Sequence, residues 1–240
     1  MILTAHQPVY LPWLGLFHKI ALADRYVSLN NVQYQRSDWN HRNQVRINGE
    51  VGWLSVPVKK KGYLGKKYID IEIDNSQPWA KKHWCTLLFN YKKSPYFKKY
   101  IDFFEDTYQR EWKTLVALNE YMLKWFLREL KINLLVESVS DKKVSGTKDD
   151  LIVNLCECMG ANVFIFGKQG SNYVDVQKFT TKKVIPYFQE YQHPKYNQGM
   201  FDFVPYLSVV DLLFNEGDNS FDVIMSNNVD KNAINNFIKI

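Results

Sequence analysis

The sequence predicts an α/β protein built on a mixed sheet, with a Rossmann-like strand-loop-helix start and a helical insert in the middle of the chain. A short apolar strand near Ile2–Thr4 is followed by a polar loop, a helix near residues 13–23 and an extended run near 26–30. This order is the opening unit of a doubly wound fold. Strands and helices alternate again after residue 134, so the two halves of the chain frame a different middle segment.

Short extended segments follow the opening unit. Runs at 43–47 and 52–58 are joined by Asn48-Gly49, a dipeptide typical of a two-residue hairpin turn. The segment Lys67–Ile73 alternates polar residues with isoleucines. This alternation predicts a half-buried strand.

Residues 78–131 change to helical periodicity. Apolar residues recur at helical spacing in three stretches, Trp79–Asn90, Tyr96–Tyr108 and Thr114–Leu130. An apolar stripe of this kind is typical of a packed core rather than of a ligand site. We therefore expect three helices that cover one face of the sheet or form a lid.

The second half of the chain returns to the α/β pattern. We assign residues 1–225 to a single α/β domain that contains the 78–131 insert, and residues 226–240 to a loose amphipathic C-terminal tail. The predicted elements of this half are a strand at Val136–Ser138, a helix at Lys148–Met159, a strand at Val163–Phe166, a polar loop at Gly167–Tyr173, a strand at Val184–Tyr191 and a helix at Leu207–Phe214 ended by Gly217.

Composition and charge restrict the class of protein. The 240 residues are 46% hydrophobic and carry a formal net charge of +6, so we expect a globular chain that favours anionic partners. The positive charge lies largely in short lysine runs typical of a solvated face, and without an RNP or zinc-finger motif we do not expect a nucleic-acid partner. Three cysteines favour a reducing compartment. With no signal peptide and no transmembrane segment, the sequence predicts a cytoplasmic protein.

The loop after the first predicted strand has the composition of a polar site. Two prolines four residues apart deny it regular helix and central-strand geometry. It carries an imidazole, a carboxamide, a phenol and an indole, which are groups that orient ligands. We predict catalytic roles for His6, Gln7 and Tyr10, and a substrate-binding role for Trp13. The alternative is that the histidine only fixes the backbone of the loop.

A second cluster of candidate binding residues follows along the chain. Arg36 and Arg42 flank Trp39, so two guanidinium groups are available to clamp a diphosphate while the indole covers a base or a sugar. Asn43 lies beside them, and Lys19 on the preceding helix adds to the same positive region. The alternative for the arginines is surface ion pairing on a hairpin.

A third candidate segment is the glycine-containing loop after the predicted strand at 163–166. We predict substrate-binding roles for Lys168, Ser171, Tyr173 and Asp175, because backbone N–H groups beside glycines and a lysine suit an anion. The spacing is not that of a Walker A loop. Since this loop and the His6 loop both follow buried strands, we expect them to share a cleft with the Trp39–Asn43 segment.

A fourth candidate segment lies near the C-terminal part of the domain. His193 offers a second imidazole for catalysis, and Tyr196 and Gln198 are candidate binding residues. Asp175 and Asp211 are possible orienting carboxylates. Neither a nucleophile elbow nor zinc-ligand spacing of the cysteines is present, so we predict no metal site.

Five blocks of the sequence resemble the WbqC-like family, which is found in bacterial gene clusters for surface polysaccharides. They are HQPVYLPWLGLFHKI, WNHRN, GKQGSNYVD, HPKYNQ and LSVVDLLFNEG. The resemblance extends from about Ile2 to Phe221, and it is the combination of blocks that makes it specific. It implies a bacterial cytoplasmic enzyme of sugar-nucleotide or O-antigen metabolism.

Together, the resemblance and the candidate residues favour a group-transfer enzyme whose substrate is a nucleotide-linked amino sugar, with N-acylation as the reaction. A histidine to deprotonate the amine, cations for the diphosphate and aromatic rings for the nucleotide are the residues this chemistry needs. The alternatives are a nucleotidyltransferase-like enzyme and a nucleic-acid or tRNA-binding module. The sequence does not identify the acyl donor, any cofactor or the oligomeric state.

Overall fold

The computed structural model describes residues 1–35, 38–63 and 65–238. Its strands are β1 (Ile2–His6), β2 (Arg25–Ser28), β3 (Arg42–Ile47), β4 (Glu50–Ser55), β5 (Leu135–Ser138), β6 (Val163–Phe166) and β7 (Ile185–Phe188). Its α-helices are α1 (Leu14–Ala21), α2 (Trp79–Tyr91), α3 (Phe97–Gln109), α4 (Leu115–Glu129), α5 (Lys148–Met159), α6 (Val176–Thr181), α7 (Val209–Glu216), α8 (Ser220–Met225) and α9 (Lys231–Ile238).

A five-stranded parallel sheet forms the centre of the fold, with the strand order β5-β2-β1-β6-β7. The predicted α/β class is therefore confirmed. The chain winds outward from β1 through β2 to β5, and then starts again on the other side of β1 with β6 and β7. This is the doubly wound order, and its switch point lies between β1 and β6.

The two faces of the sheet have separate helical covers. One face packs against α5 and α6, and its core contains Leu3, Ala5, Val27, Leu151, Leu155, Phe164, Phe166 and Phe179. Alternate residues of β1 point to the other face, which α1 covers. His6 and Ser28 are register partners on neighbouring parallel strands, so their side chains emerge on this second face at its carboxyl edge.

The antiparallel strands form a separate hairpin rather than part of the parallel sheet. β3 and β4 pair over their full lengths, from Arg42 opposite Ser55 to Ile47 opposite Glu50. Asn48 and Gly49 both have positive φ, +53° and +84°, as the predicted two-residue turn requires. The three helices expected in residues 78–131 are also present, as α2, α3 and α4.

The prediction of a strand at Lys67–Ile73 is wrong. Tyr68–Asp70 forms a 3₁₀ helix, and strand-like contacts around it are isolated bridges. The pattern predicted an outward Tyr68, but its ring is fully buried and stacks on Tyr34 at 5.8 Å. Its hydroxyl meets Asn119 at 2.6 Å. Burial of this one large ring breaks the two-residue period, which sequence alternation alone does not reveal.

The C-terminal residues are more ordered than the loose tail that the sequence predicts. Helix α9 inserts Ile234, 1% exposed, against Ile2 and Leu22. Lys231 anchors it through an ion pair with Asp24 at 2.5 Å. The short helices α6 and α8 were also not predicted, because each has only six residues and too few turns to show a period.

A buried carboxylate joins α7 to α2 and to the segment that carries Tyr196. Asp211, fully buried on α7, accepts hydrogen bonds from Tyr91 and Tyr196, each at 2.8 Å. Burial raises the pKa of Asp211, and the two hydroxyl donors oppose this rise. Arg46, 5% exposed, donates from β3 to Gln198 and to the Gly49 carbonyl.

We predict that Asp211→Ala lowers the free energy of unfolding by about 3 kcal/mol, because it leaves two buried tyrosine hydroxyls without an acceptor. Asp218→Ala is the matched control, since that carboxylate is exposed and only pairs with surface lysines. Urea denaturation of both variants measures the difference. Equal midpoints for the two variants would contradict the structural role of Asp211.

Candidate functional site

Polar loops leave the sheet on both sides of its switch point. The His6 loop (His6–Trp13) follows β1, and the segment Gly167–Tyr173 follows β6. β1 and β6 are hydrogen-bonded neighbours, with Thr4 opposite Ile165. The two loops therefore start side by side at the carboxyl edge, and open α/β sheets bind ligands in the crevice at this point.

The imidazole of His6 is fixed in one orientation. Its Nδ1 lies 2.7 Å from the Gln7 carbonyl, which can only accept, so Nδ1 carries the proton and Nε2 carries the lone pair. The ring edge also contacts the indole of Trp13, with centroids 5.4 Å apart. Among the described residues, no hydrogen bond to Nε2 is found. The ring thus presents a free acceptor at the end of β1.

The charge state of His6 follows from its surroundings. Burial, together with the positive charge of Lys19, lowers its pKa to about 3, although the hydrogen bond to Gln7 opposes the shift. The imidazole is therefore neutral at physiological pH. A bound anion would raise the pKa of His6, because it would offset the charge of Lys19 and favour the protonated ring.

Lys19 provides a buried positive charge behind this histidine. Its side chain, 4% exposed, extends from α1 and donates to the Ala5 carbonyl at 3.1 Å. Burial lowers its pKa to about 8. Lys19 forms no ion pair with any residue in the described ranges. A buried ammonium that lacks a carboxylate partner is costly, and it creates a positive potential suited to an anionic ligand.

Glu120 is a site residue that sequence reasoning missed. It projects from α4, and its Oε1 accepts hydrogen bonds from Ser28 at 2.5 Å and Asn30 at 3.2 Å. Ser28 is the register partner of His6, so this partly exposed carboxylate lies at the same edge of the sheet. The available signal was the adjacent polar pair Asn119-Glu120 between the apolar stretches Leu115–Leu118 and Tyr121–Leu123.

The asparagines of the WNHRN segment hold the His6 loop. Asn40 donates to the carboxamide oxygen of Gln7 at 2.7 Å, and Asn43 donates to the Leu11 carbonyl at 2.6 Å. Leu11 has φ of +46°, a left-handed conformation that is strained for a leucine. Gln7 and Asn43, predicted as catalytic and binding residues, are therefore used to shape the loop.

Tyr10 does not face the site, in contrast to its predicted catalytic role. Its side chain is fully buried, and its hydroxyl meets His83 Nδ1 at 2.8 Å and the Tyr108 hydroxyl at 2.5 Å. Burial raises its pKa well above the usual value. The ring turns inward because its apolar body packs in the core of helices α2–α4, where a histidine and a tyrosine satisfy its hydroxyl. Tyr10 thus fastens the loop to the helical insert.

Trp39 and Arg42 lie on the outer side of the hairpin. Trp39 is 39% exposed, and its ring centroid lies 5.0 Å from that of Trp53. The Arg42 guanidinium lies over the Trp53 ring at 4.8 Å. The remaining predicted member of this cluster, Arg36, lies outside the described residues.

The segment after β6 is a short 3₁₀ helix, Lys168–Asn172, rather than an open loop. Lys168, Ser171 and Tyr173 are exposed beside the switch point. Asp175 instead caps α6 by accepting from the Gln177 N–H at 3.1 Å. Its own N–H donates to Asp149 at 2.9 Å. Asp175 is thus engaged in holding α6, while the other three are available.

The segment containing His193 is held by structural contacts. Nδ1 of His193 donates to the Pro194 carbonyl at 2.9 Å, and Nε2 accepts from the Tyr206 N–H at 3.0 Å. Both ring nitrogens are therefore occupied, and burial lowers the pKa of the ring. Tyr196 and Gln198 belong to the buried network of Asp211 and Arg46. We do not include these predicted residues in the site.

The described residues contain no group of three or more His, Cys, Asp and Glu side chains arranged to hold a metal ion. Within the same ranges, the helices are too short or too polar to cross a bilayer.

The chain is a doubly wound α/β protein with a cluster of polar side chains at the carboxyl edge of its sheet, beside the switch point. The profile of the WbqC-like protein family matches residues 7–223, so the chain belongs to this family. Rv1507c, an uncharacterized protein of Mycobacterium tuberculosis (strain ATCC 25618 / H37Rv), is 31% identical over 220 residues, which are 91% of this chain and 95% of that protein. No solved structure matches the chain.

We predict that His6 stays neutral when the pH is lowered from 8 to 5, because its pKa is about 3. The unfolded chain takes up this proton near pH 6.5, so the contribution of His6 to stability is present above pH 6.5 and is lost as the pH falls towards 3. Imidazole ¹⁵N chemical shifts, assigned with a His6→Gln variant, report the tautomer and the titration. A His6 ring that titrates near pH 6.5 would contradict the assigned environment.

Proposed function

We propose that this protein is a group-transfer enzyme of sugar-nucleotide metabolism that acylates the amine of a nucleotide-linked amino sugar. One observation carries the proposal: the neutral acceptor His6 Nε2 lies at the end of β1 near the buried charge of Lys19, and Ser28, the register partner of His6, donates to the carboxylate of Glu120. A nucleotide-linked amino sugar has a matching pair of charges, an anionic diphosphate and a cationic amine. The site thus suits both ends of this substrate class.

The proposed reaction uses each group at a stated atom. The free oxygen of Glu120 orients the substrate ammonium, which releases one proton to solvent and becomes the neutral amine. His6 Nε2 takes a proton as the amine nitrogen attacks the acyl carbon, an N–C bond forms, and the bond from the acyl carbon to the donor breaks. The donor leaves with that electron pair and receives the proton from His6. The positive potential of Lys19 stabilises the developing oxyanion or the diphosphate.

The family supports the choice of substrate class. WbqC-like proteins occur in bacterial gene clusters for surface polysaccharides, in which nucleotide-linked sugars are the building units. The doubly wound order of the sheet is compatible with a bound nucleotide, because nucleotides occupy the switch point in such folds.

The strand order also favours a second candidate, nucleotidyl transfer, because nucleotide-binding folds with this order place phosphates beside the first loop. In that reaction a sugar phosphate would attack a nucleoside triphosphate and release pyrophosphate. The absence of a second free imidazole at the His6 loop, within the ranges described, makes it the weaker candidate. Release of pyrophosphate from a nucleoside triphosphate and a sugar phosphate distinguishes it from acylation.

We predict that His6→Gln lowers turnover by about 100-fold or more, because the variant loses the proton acceptor. His193→Gln is the matched control, since both nitrogens of that ring serve the local backbone, and it should retain most activity. The assay incubates nucleotide-linked amino sugars with a panel of acyl donors and detects the amide by mass spectrometry. Equal turnover of His6→Gln and the unsubstituted protein would remove His6 from the mechanism.

A further inference from the structure

We propose that Trp39 and Trp53 form a stacking platform for the nucleobase of the substrate, with Arg42 as the cation that binds the phosphate next to it. The inference that the ligand is the nucleotide part of the substrate rests on the function proposed above. Trp53 takes no part in the reaction proposed above. The platform extends the site from the end of β1 onto the hairpin.

The two indoles are unusually accessible for tryptophan side chains in direct contact. Trp39 is 39% exposed and Trp53 is 42% exposed, with ring planes 49° apart. Indoles usually bury most of their apolar surface, so two exposed rings side by side mark a binding surface. Part of the surface of each ring therefore remains accessible to a flat ligand. Any nucleobase can stack on such rings, because stacking does not need hydrogen bonds to the edges of the base.

The hairpin geometry explains why the platform faces outward. Trp53 is opposite Gln44 and Arg42 is opposite Ser55, so these side chains share one face of the two-stranded sheet. Residues on the other face, including Val45 and Leu54, are buried in the core. The outer face therefore holds the aromatic ring beside polar and cationic neighbours.

The charge next to the rings points to a phosphate-bearing ligand. Arg42 forms no ion pair within the described ranges, and its Nε is buried with no hydrogen-bond partner there. Its guanidinium already lies over the Trp53 ring at 4.8 Å. A guanidinium in this position can bind phosphate through its remaining N–H groups while it stays stacked. A nucleotide supplies a flat ring and a phosphate in one molecule.

Trp39 is connected to the His6 loop through its neighbour in the chain. Trp39 begins the 3₁₀ helix Trp39–His41, capped by Asp38. The next residue, Asn40, donates to Gln7, the neighbour of His6. A base on Trp39 would therefore lie beside the loop that carries the proposed proton acceptor. This continuity favours a nucleotide over a separate macromolecular partner.

The test measures nucleotide binding through quenching of intrinsic tryptophan fluorescence. The probes are uridine monophosphate, adenosine monophosphate, uridine and ribose 5-phosphate. We expect both monophosphates to bind and quench, and ribose 5-phosphate, which lacks a base, to bind at least tenfold more weakly. Trp53→Ala should weaken monophosphate binding about tenfold or more, with Trp53→Phe recovering part of it because the ring is retained. Phe89→Ala, at an aromatic residue 67% exposed on α2, is the matched control and should bind like the unsubstituted protein.

Arg42→Ala should remove the advantage of uridine monophosphate over uridine, and Arg42→Lys should restore part of it. The binding measurement needs neither an acyl donor nor an amino sugar, so failure of the acylation assay leaves this test intact. Nucleotide affinities unchanged in Trp53→Ala, or no binding at millimolar concentrations, would overturn the platform. A dimer in sedimentation that Trp53→Ala dissociates, without nucleotide binding, would instead assign the rings to an interface between copies.

Discussion

Three buried asparagine side chains determine the shape of the loop on which the site depends. The His6 loop contains two prolines, which donate no backbone hydrogen bonds, and a leucine in the left-handed region. Asn40 and Asn43 donate to Gln7 and Leu11, and Asn119 donates to the Asn40 carbonyl at 2.8 Å. Without these amides the loop has no regular structure to fix it. The orientation of His6, and everything assigned to it, follows from this network.

The network also joins separate parts of the chain into one site. Asn40 and Asn43 come from the segment that leads into the hairpin, whereas Asn119 comes from α4 in the helical insert. Glu120, the next residue on α4, reaches Ser28 at the carboxyl edge of the sheet. The insert is therefore more than a cover for the sheet. It supplies both a support for the loop and the carboxylate of the proposed site.

The electrostatics of the site depend on burial. Lys19 and His6 both have lowered pKa values because they are withdrawn from water, and the charge of one lowers the pKa of the other. Such an arrangement costs stability in the free protein. An anionic ligand would offset part of that cost, because it balances the positive charge of Lys19 and favours a protonated imidazole. Ligand binding and proton uptake are thus expected to be linked.

Sequence reasoning predicted the elements whose periodicity is strong, such as α5 at Lys148–Met159 and β6 at Val163–Phe166. It also located the His6 loop, because prolines and polar side chains after a strand leave a clear pattern. It could not give the direction of Tyr10, whose hydroxyl finds partners 73 and 98 residues away. Glu120 was hidden for a similar reason, since its helix has the apolar stripe of a core element. Both depend on tertiary contacts that local patterns do not encode.

The central claim is that the ligand binds at the carboxyl edge of the sheet, between the loops after β1 and β6. Amide hydrogen exchange with and without UDP-glucosamine, read by mass spectrometry, tests it directly. The account predicts slower exchange in peptides covering Gln7–Trp13 and Lys168–Tyr173 when the nucleotide sugar is bound. Protection confined to another surface, such as the lysine-lined depression around Lys59, Lys66 and Glu72, would contradict it.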